Sequence, residues 1–242
     1  MEGLNKMQNF RYYKGVLLQL VPHIPIDESK VKGLIRKYNA HLFRWTTNFD
    51  CSHETEFWHV ICDKFTNLED YNRNIRSQIK RGLKNCDGRK IDSQTLRKEG
   101  YEIYSKAFKR YITKEKMKSK TKFLKELDLF FRSYKYHIWG VFYKDELIGY
   151  SQNIIVDDYC DYNIIKIAPE FLNLYSSYAL FYTMNKYYLN TKNFKYVNDG
   201  SRTLNHTTKI QEFLIKKFKF RKAFCNLKIT YSNNIFLVIS LL

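Results

Sequence analysis

The chain has 242 residues, 42 of them Lys or Arg against 24 Asp or Glu, for a formal net charge of +18. Its hydrophobic fraction of 44% suffices for a packed core, and its 9 Gly and 3 Pro are too few for collagen-like, Pro-rich or Gly/Ser low-complexity sequence. Disordered and fibrous classes are excluded, and the length allows one large domain or two small ones.

The first residues carry Lys6, Arg11 and Lys14, and the apolar run from Val16 to Val21 is too short for a signal-peptide core. Val16 to Val21, His41 to Trp45 and Phe57 to Cys62 are rich in β-branched and aromatic residues, which predicts strands. Between the first two, Asp27-Glu28-Ser29 precedes Val31, Leu34, Ile35 and Tyr38, an N-cap followed by helical spacing. His53, Glu54, Glu56 and His59 follow, without the H-E-x-x-H spacing of a zinc helix.

Leu68, Tyr71, Ile75, Ile79 and Leu83 recur at steps of three and four, so they share one face of a helix. Arg76, Lys80 and Lys84 run beside that stripe, which predicts an apolar face anchored on a sheet and a cationic row facing out. The helix should stop near Asn85 to Gly88, with further helices at Ser93 to Tyr111 and Lys118 to Ser133. From Arg73 to Lys122 there are 17 basic and five acidic residues, so this stretch holds two thirds of the net charge. Such a field attracts nucleic acid, nucleotide phosphates or acidic lipids.

After Tyr136 the period changes from helix to strand. His137 to Tyr143, a turn at Asp145-Glu146, Leu147 to Val156, a turn at Asp157-Asp158 and Tyr159 to Ile167 predict three antiparallel strands. Asp158 and Asp161 fall on opposite faces of a regular strand, which argues against a metal cluster there. Tyr178 to Leu189 reads as a helix, Phe194 to Asn198 as a strand and Thr208 to Phe218 as an amphipathic helix. Arg221 to Tyr231 and Ile235 to Leu242 read as the last strands; the apolar run of the latter is far short of the about 20 residues a membrane helix needs. The five cysteines are odd in number, widely spaced and without a C-x-x-C pair, as expected of free thiols in a reducing cytoplasm.

The order from Tyr136 onward is β-β-β-α-β-α-β-β, and residues 136 to 231 resemble the second half of the GNAT acyltransferase fold. Lys144-Asp145-Glu146-Leu147-Ile148-Gly149-Tyr150 is similar to that family's turn and "hxGxh" strand start. Ile167-Ala168-Pro169-Glu170-Phe171 is similar to its "V-x-P-E-Y" strand end, and Phe213 to Arg221 to "L-Y-x-K-x-G-F-x". The acetyl-CoA signature R/Q-x-x-G-x-G/A is replaced by Leu172 to Tyr178, the family's general-acid tyrosine falls on Ile215, and the glycine of "GF" is Lys219. With Ser176-Ser177-Tyr178 at the pyrophosphate loop and Arg73 to Arg81 similar to "R-x-x-I-R-K", the chain looks more like the Fem-type GNAT-like transferases.

The resemblance implies a mixed α/β fold with a largely antiparallel central sheet flanked by helices. The transferase core would span 136–242, and an N-terminal α/β portion with the basic helices would span 1–135. It implies an acyltransferase that moves an acyl group from acyl-CoA, a donor substrate rather than a resident cofactor, to an amine. Donor phosphates would meet Ile167 at the strand end and the backbone of Ser176, Ser177, Tyr178 and Ala179 at the following helix start, where free N–H groups and the helix dipole favour anions. Asp199, in the loop expected after Asn198, and His206 are the candidate bases, with Arg76, Lys80, Lys84 and Arg202 as anion-binding residues. Two alternatives stand beside this. One is an aminoacyl-tRNA-dependent transferase of Fem type, which the basic segment favours, although such enzymes carry two GNAT-like units and a coiled-coil arm. The other is a non-catalytic nucleic-acid-binding protein on a transferase scaffold.

Overall fold

The computed structural model describes residues 9–110, 116–202 and 209–233. They fall into two compact units, and the division lies inside the strand Phe57–Cys62, named β4 here. Among the described residues no helix is long and apolar enough to cross a membrane. His206, residue 208 and the expected strand over 235–242 lie outside the described residues.

The first unit holds β1 (Phe10–Tyr13), β2 (Val16–Gln19), α1 (Glu28–Lys37), β3 (Leu42–Thr47) and most of β10 (Arg221–Tyr231). β1 and β2 form a hairpin closed by Lys14 and Gly15, both at positive φ (48° and 82°), as a two-residue turn between right-twisted strands requires. β2 runs parallel to β3, and β10 antiparallel to it. The expected helix begins where its cap predicts, with the Asp27 carboxylate accepting from the Ser29 N–H. Val31 and Ile35 of α1 bury against Leu17, Phe43 and Trp45.

The second unit carries the sheet order β9-β8-β7-β6-β5. Its strands are β5 (Asp87–Ile91), β6 (Tyr136–Tyr143), β7 (Glu146–Val156), β8 (Tyr159–Ile167) and β9 (Tyr196–Ser201). Neighbours pair antiparallel except β8 and β9, which are parallel. The β6–β7 turn sits at Lys144-Asp145, one residue earlier than expected, because these two take the positive φ values (47° and 64°) that a tight hairpin demands. α3 (Ser93–Phe108) and α4 (Lys120–Ser133) cover one face through Leu96, Ile103, Phe123 and Leu127 packed on Ile138 and Phe142. α5 (Ser176–Asn185), continued by a π-helical stretch Lys186–Thr191, packs on β5, β6 and α2 (Arg73–Asn85). α6 (Lys209–Phe218) ends at Lys219, whose φ of 60° is left-handed. That conformation favours glycine, which is what the GNAT pattern has at this position.

Three local expectations change. β1 and β5 are additional to the expected strands: both are short, and β5 is mostly charged; β5 becomes a strand by antiparallel pairing to β6, Arg89 opposite Gly140. α2 begins at Arg73, with Asn72 capping the Ile75 N–H at 2.9 Å, and Leu68 lies in a separate 3₁₀ turn. The buried stripe is Tyr71, Ile75, Ile79 and Gly82, whereas Leu83 is 38% exposed. α2 thus lays a side-chain-free position on α5, not on the sheet: a Cβ at Gly82 would stand 2.6 Å from the Tyr175 carbonyl oxygen and 3.0 Å from the Ala179 nitrogen.

That contact gives a paired prediction. Alanine is favoured over glycine inside a helix by about 1 kcal/mol, and Gly33 of α1 has nothing within 4 Å of its added Cβ. Gly33→Ala should therefore stabilise by about 0.5–1 kcal/mol. Gly82→Ala should destabilise by about 1–3 kcal/mol, because backbone atoms of α5 cannot yield as a side chain would. Urea denaturation of both variants tests this; stabilisation by Gly82→Ala would mean that α2 is not seated on α5.

Candidate functional site

β8 and β9 start as a parallel pair and then part. Their ladder runs Tyr159↔Tyr196, Cys160↔Val197 and Asp161↔Asn198, and ends there. The parting comes at Asp161, well before β8 itself ends at Ile167. The same stretch of β8 is irregular toward β7: Gln152 pairs with Ile164 and Asn153 with Tyr162, so Asn163 is an extra, bulged residue. A bulge re-aims the backbone and takes its groups out of the ladder. Ligands of α/β sheets meet the protein at such crevices beyond paired strand ends.

Polar groups converge on this point. Asn198 is buried; its amide donates to the Tyr159 hydroxyl at 2.9 Å and to Asp161 Oδ1 at 3.2 Å, and its own oxygen accepts from the Gly200 N–H at 3.1 Å. Asp199 stands inside β9, not in a loop after it, and its carbonyl accepts from Gln211 Nε2 of α6 at 3.2 Å. Burial holds the Asp199 carboxyl well above the usual carboxylate range, and the charge of Asp161 pushes it further. Burial also raises Tyr159 and Tyr162, so both phenols stay neutral; Tyr162 donates to Asn185 Oδ1 at 2.8 Å. A carboxyl raised above its usual range where two strands part is suited to take a proton from an amine.

The start of α5 lies in the same unit. Ile167 ends β8 opposite Gly149, and Tyr175, in the left-handed region at φ 59°, begins α5. Ser176 is buried, with its hydroxyl donating to the Phe171 carbonyl at 2.9 Å. The N–H groups of Tyr178 and Ala179 both donate to the Tyr175 carbonyl, and the Tyr178 hydroxyl donates to Gln78 of α2 at 2.9 Å. Among these four residues only Ser177 is more than marginally exposed.

α2 presents a cleft of about 310 Å³ lined by Arg73, Arg76, Ser77, Lys80, Arg81 and Lys84. The expected row Arg76, Lys80 and Lys84 is thus joined by two further arginines and a hydroxyl. Arg73 and Ser77 extend the face of Lys80 and Lys84 at i, i+4, i+7, i+11 spacing, a signal the sequence carries. No acidic residue occurs in the helix. At 1.5 Å per residue the row is about 16 Å long. Arg81 stands 5.9 Å from the ring centre of Tyr175, so the cations begin beside the start of α5. Arg202 belongs to the first unit, where its N–H donates to the Trp58 carbonyl at 2.8 Å, its guanidinium bonds the Glu56 carbonyl, and its charge sits 5.0 Å from the Trp58 ring centre.

Behind β8 lies a buried polar network centred on Tyr188. Its oxygen accepts from Trp139 Nε1 at 2.9 Å and Asn153 Nδ2 at 3.2 Å. Tyr188→Phe removes that acceptor, and each donor left unpaired costs about 1–3 kcal/mol. The variant should lose about 2–4 kcal/mol in urea denaturation, with Asn153 partly relieved by Met184 Sδ at 3.4 Å. A loss below about 0.5 kcal/mol would show that the network adds no net stability.

No protein-family model matches the sequence, and comparison with curated proteins finds no match. Solved structures do match. FemX superposes with a TM-score of 0.62 at 10% identity, over 95% of this chain and 85% of that one. L-PGS from Bacillus licheniformis gives 0.53 at 10% identity, over 96% of this chain and 83% of that one. A Bacteroides thetaiotaomicron protein of unknown function gives 0.57 at 9% identity, over 90% and 79%. With the mixed, mostly antiparallel strand pairing and the parting of β8 from β9, these likenesses establish that the chain has a GNAT-like fold related to that of the Fem-type transferases.

Proposed function

We propose that this protein is a cytoplasmic GNAT-like N-acyltransferase that moves an acyl group from a phosphate-bearing donor, acyl-CoA in the first instance, to an amine. The observation that carries the reading is the parting of β8 from β9 after Asp161 and Asn198, with the raised carboxyl of Asp199 on the next residue of β9. Asp199 takes the proton from the attacking amine. Backbone N–H donors along β8 beyond its last pair with β9 stabilise the oxyanion as the tetrahedral intermediate forms; collapse breaks the C–S bond, and the leaving thiolate takes the proton back from Asp199. The donor phosphates lie between the N–H of Ser177 and the α2 cations, starting at Arg81.

A second reading, transfer from aminoacyl-tRNA, is favoured by one observation. Five cations spread along about 16 Å of helix are more than a single pyrophosphate needs and suit a run of phosphodiesters. Native mass spectrometry of the purified protein separates the two. Bound CoA, followed by transfer to an amine in single turnover, supports the first; bound tRNA supports the second. If neither is retained and neither donor is consumed, the chain is a binding protein on a transferase scaffold.

A further inference from the structure

A second concentration of positive charge, with no residue in common with the α2 cleft, lies on the sheet edge formed by β5 and β6. Lys90 of β5 pairs across the ladder with Trp139 of β6. His137 and Trp139 alternate onto the face that the π-helical stretch covers, and Tyr187 of that stretch packs edge-on against both, with ring centres 5.9 and 5.3 Å apart. Lys90 Nζ lies 2.6 Å from the Tyr187 hydroxyl and 3.9 Å from its ring centre, and Lys192 Nζ is 5.8 Å from the same centre. Lys135 immediately precedes β6, and the charges of Lys90, Lys135 and Lys192 all reach the His137 ring. The three lysines are exposed, and among the described residues none is ion-paired to a carboxylate. Short π-helical insertions of this kind occur often at functional sites, because they push side chains out of the helical register.

We infer that Lys90, Lys135 and Lys192, gathered around Tyr187 and His137, form a second phosphate-binding patch, distinct from the α2 cleft, that takes a phosphomonoester or pyrophosphate group. Lys90 and Lys192 share one ring, and with Lys135 their charges converge on His137 without a carboxylate partner; a multiply charged anion relieves that concentration of like charge. The imidazole supplies a neutral hydrogen-bonding group among the cations. Lysines on an edge strand also guard against strand addition, but that role needs only charge and predicts no saturable ligand.

His137 reports on the patch. Burial and the three lysine charges hold it down to about 4, and Tyr188, whose hydroxyl is 3.1 Å from Nδ1, is the neutral group facing it from the π-helical stretch. The experiment follows the His137 imidazole by NMR, assigned with His137→Gln, while pyrophosphate is added at ionic strength matched with sodium chloride. Saturable binding should raise the His137 pKa by at least about one unit, since a bound anion cancels the lysine charges. In Lys90→Ala/Lys192→Ala the pKa should start higher and pyrophosphate should leave it unmoved. The Arg76→Ala/Lys80→Ala/Lys84→Ala variant should respond as the wild type does. Loss of the response in that variant would assign the anion to α2 and overturn the proposal. So would a His137 that pyrophosphate moves no further than chloride, or moves equally in the Lys90/Lys192 variant. Repeating the titration with CoA and with a single-stranded RNA oligonucleotide identifies the source of the phosphate by which acts at lower concentration.

Discussion

Replacing Asp199 by asparagine should slow acyl transfer by roughly 10²–10⁴-fold, the usual contribution of a positioned general base, while making the protein more stable at neutral pH. Both effects come from one cause. Burial and Asp161 raise the Asp199 carboxyl in the folded chain above its value in the unfolded chain. A raised acid binds its proton more tightly when folded, so its contribution to stability is complete below the unfolded value of about 3.9 and is lost as pH rises through the folded value. Asparagine carries no such proton. The stability gap, Asp199→Asn minus wild type, should therefore widen from pH 4 upward by at most about 1.4 kcal/mol per pH unit and then level off.

The wild-type transfer rate should climb through the same interval, because only the deprotonated carboxyl accepts the amine proton. Asp161→Asn removes the neighbouring charge and should move both the stability change and the rate profile to lower pH. Thermal melts across pH and single-turnover rates measure the two limbs. A variant Asp199→Asn that keeps its rate within threefold would place the base elsewhere; a gap that narrows with pH would show that the carboxyl is not raised.

The Arg76→Ala/Lys80→Ala/Lys84→Ala variant should weaken RNA binding and flatten its dependence on salt. Each phosphate contact adds about 0.7–0.9 to the slope of log affinity against log salt, so removing three should reduce the slope by roughly 2–3. Arg73 and Arg81 remain in the cleft and should leave a residual dependence. Lys80 and Lys84 are exposed and Arg76 only partly covered, so stability should change by no more than about 0.5 kcal/mol. The measurement is fluorescence-detected affinity for tRNA at several salt concentrations. An unchanged slope would mean that the row is only a solvated surface. If the wild type binds no RNA even at low salt, the tRNA-dependent and nucleic-acid-binding readings both fall, and acyl-CoA remains as the donor.

Much of the second unit was legible in the chain. The three strands from Tyr136 to Ile167 and the turn at Asp157-Asp158 were visible, as was the Asp27 cap in the first unit, because alternation, positive-φ turns and N-capping act over a few residues; the β6–β7 turn was legible to within one residue. The cationic row of α2 was visible for the same reason: its period is that of the helix. Local rules do not say which strand lies beside which. β5 is a strand only because β6 offers its edge, and Asp199 is a strand residue only because β9 runs on past its last pair with β8. The bulge at Asn163 comes from a mismatch of register between two whole strands, and no residue within it announces it. The apolar stripe turned at Gly82 instead of Leu83 because α5 approaches too closely for a side chain, and only the neighbouring helix could decide that. The sequence by itself determined most of the elements, their order and their charge. The crevice, the raised carboxyl and the grouping of lysines around Tyr187 were decided by pairing and packing between residues far apart in the chain.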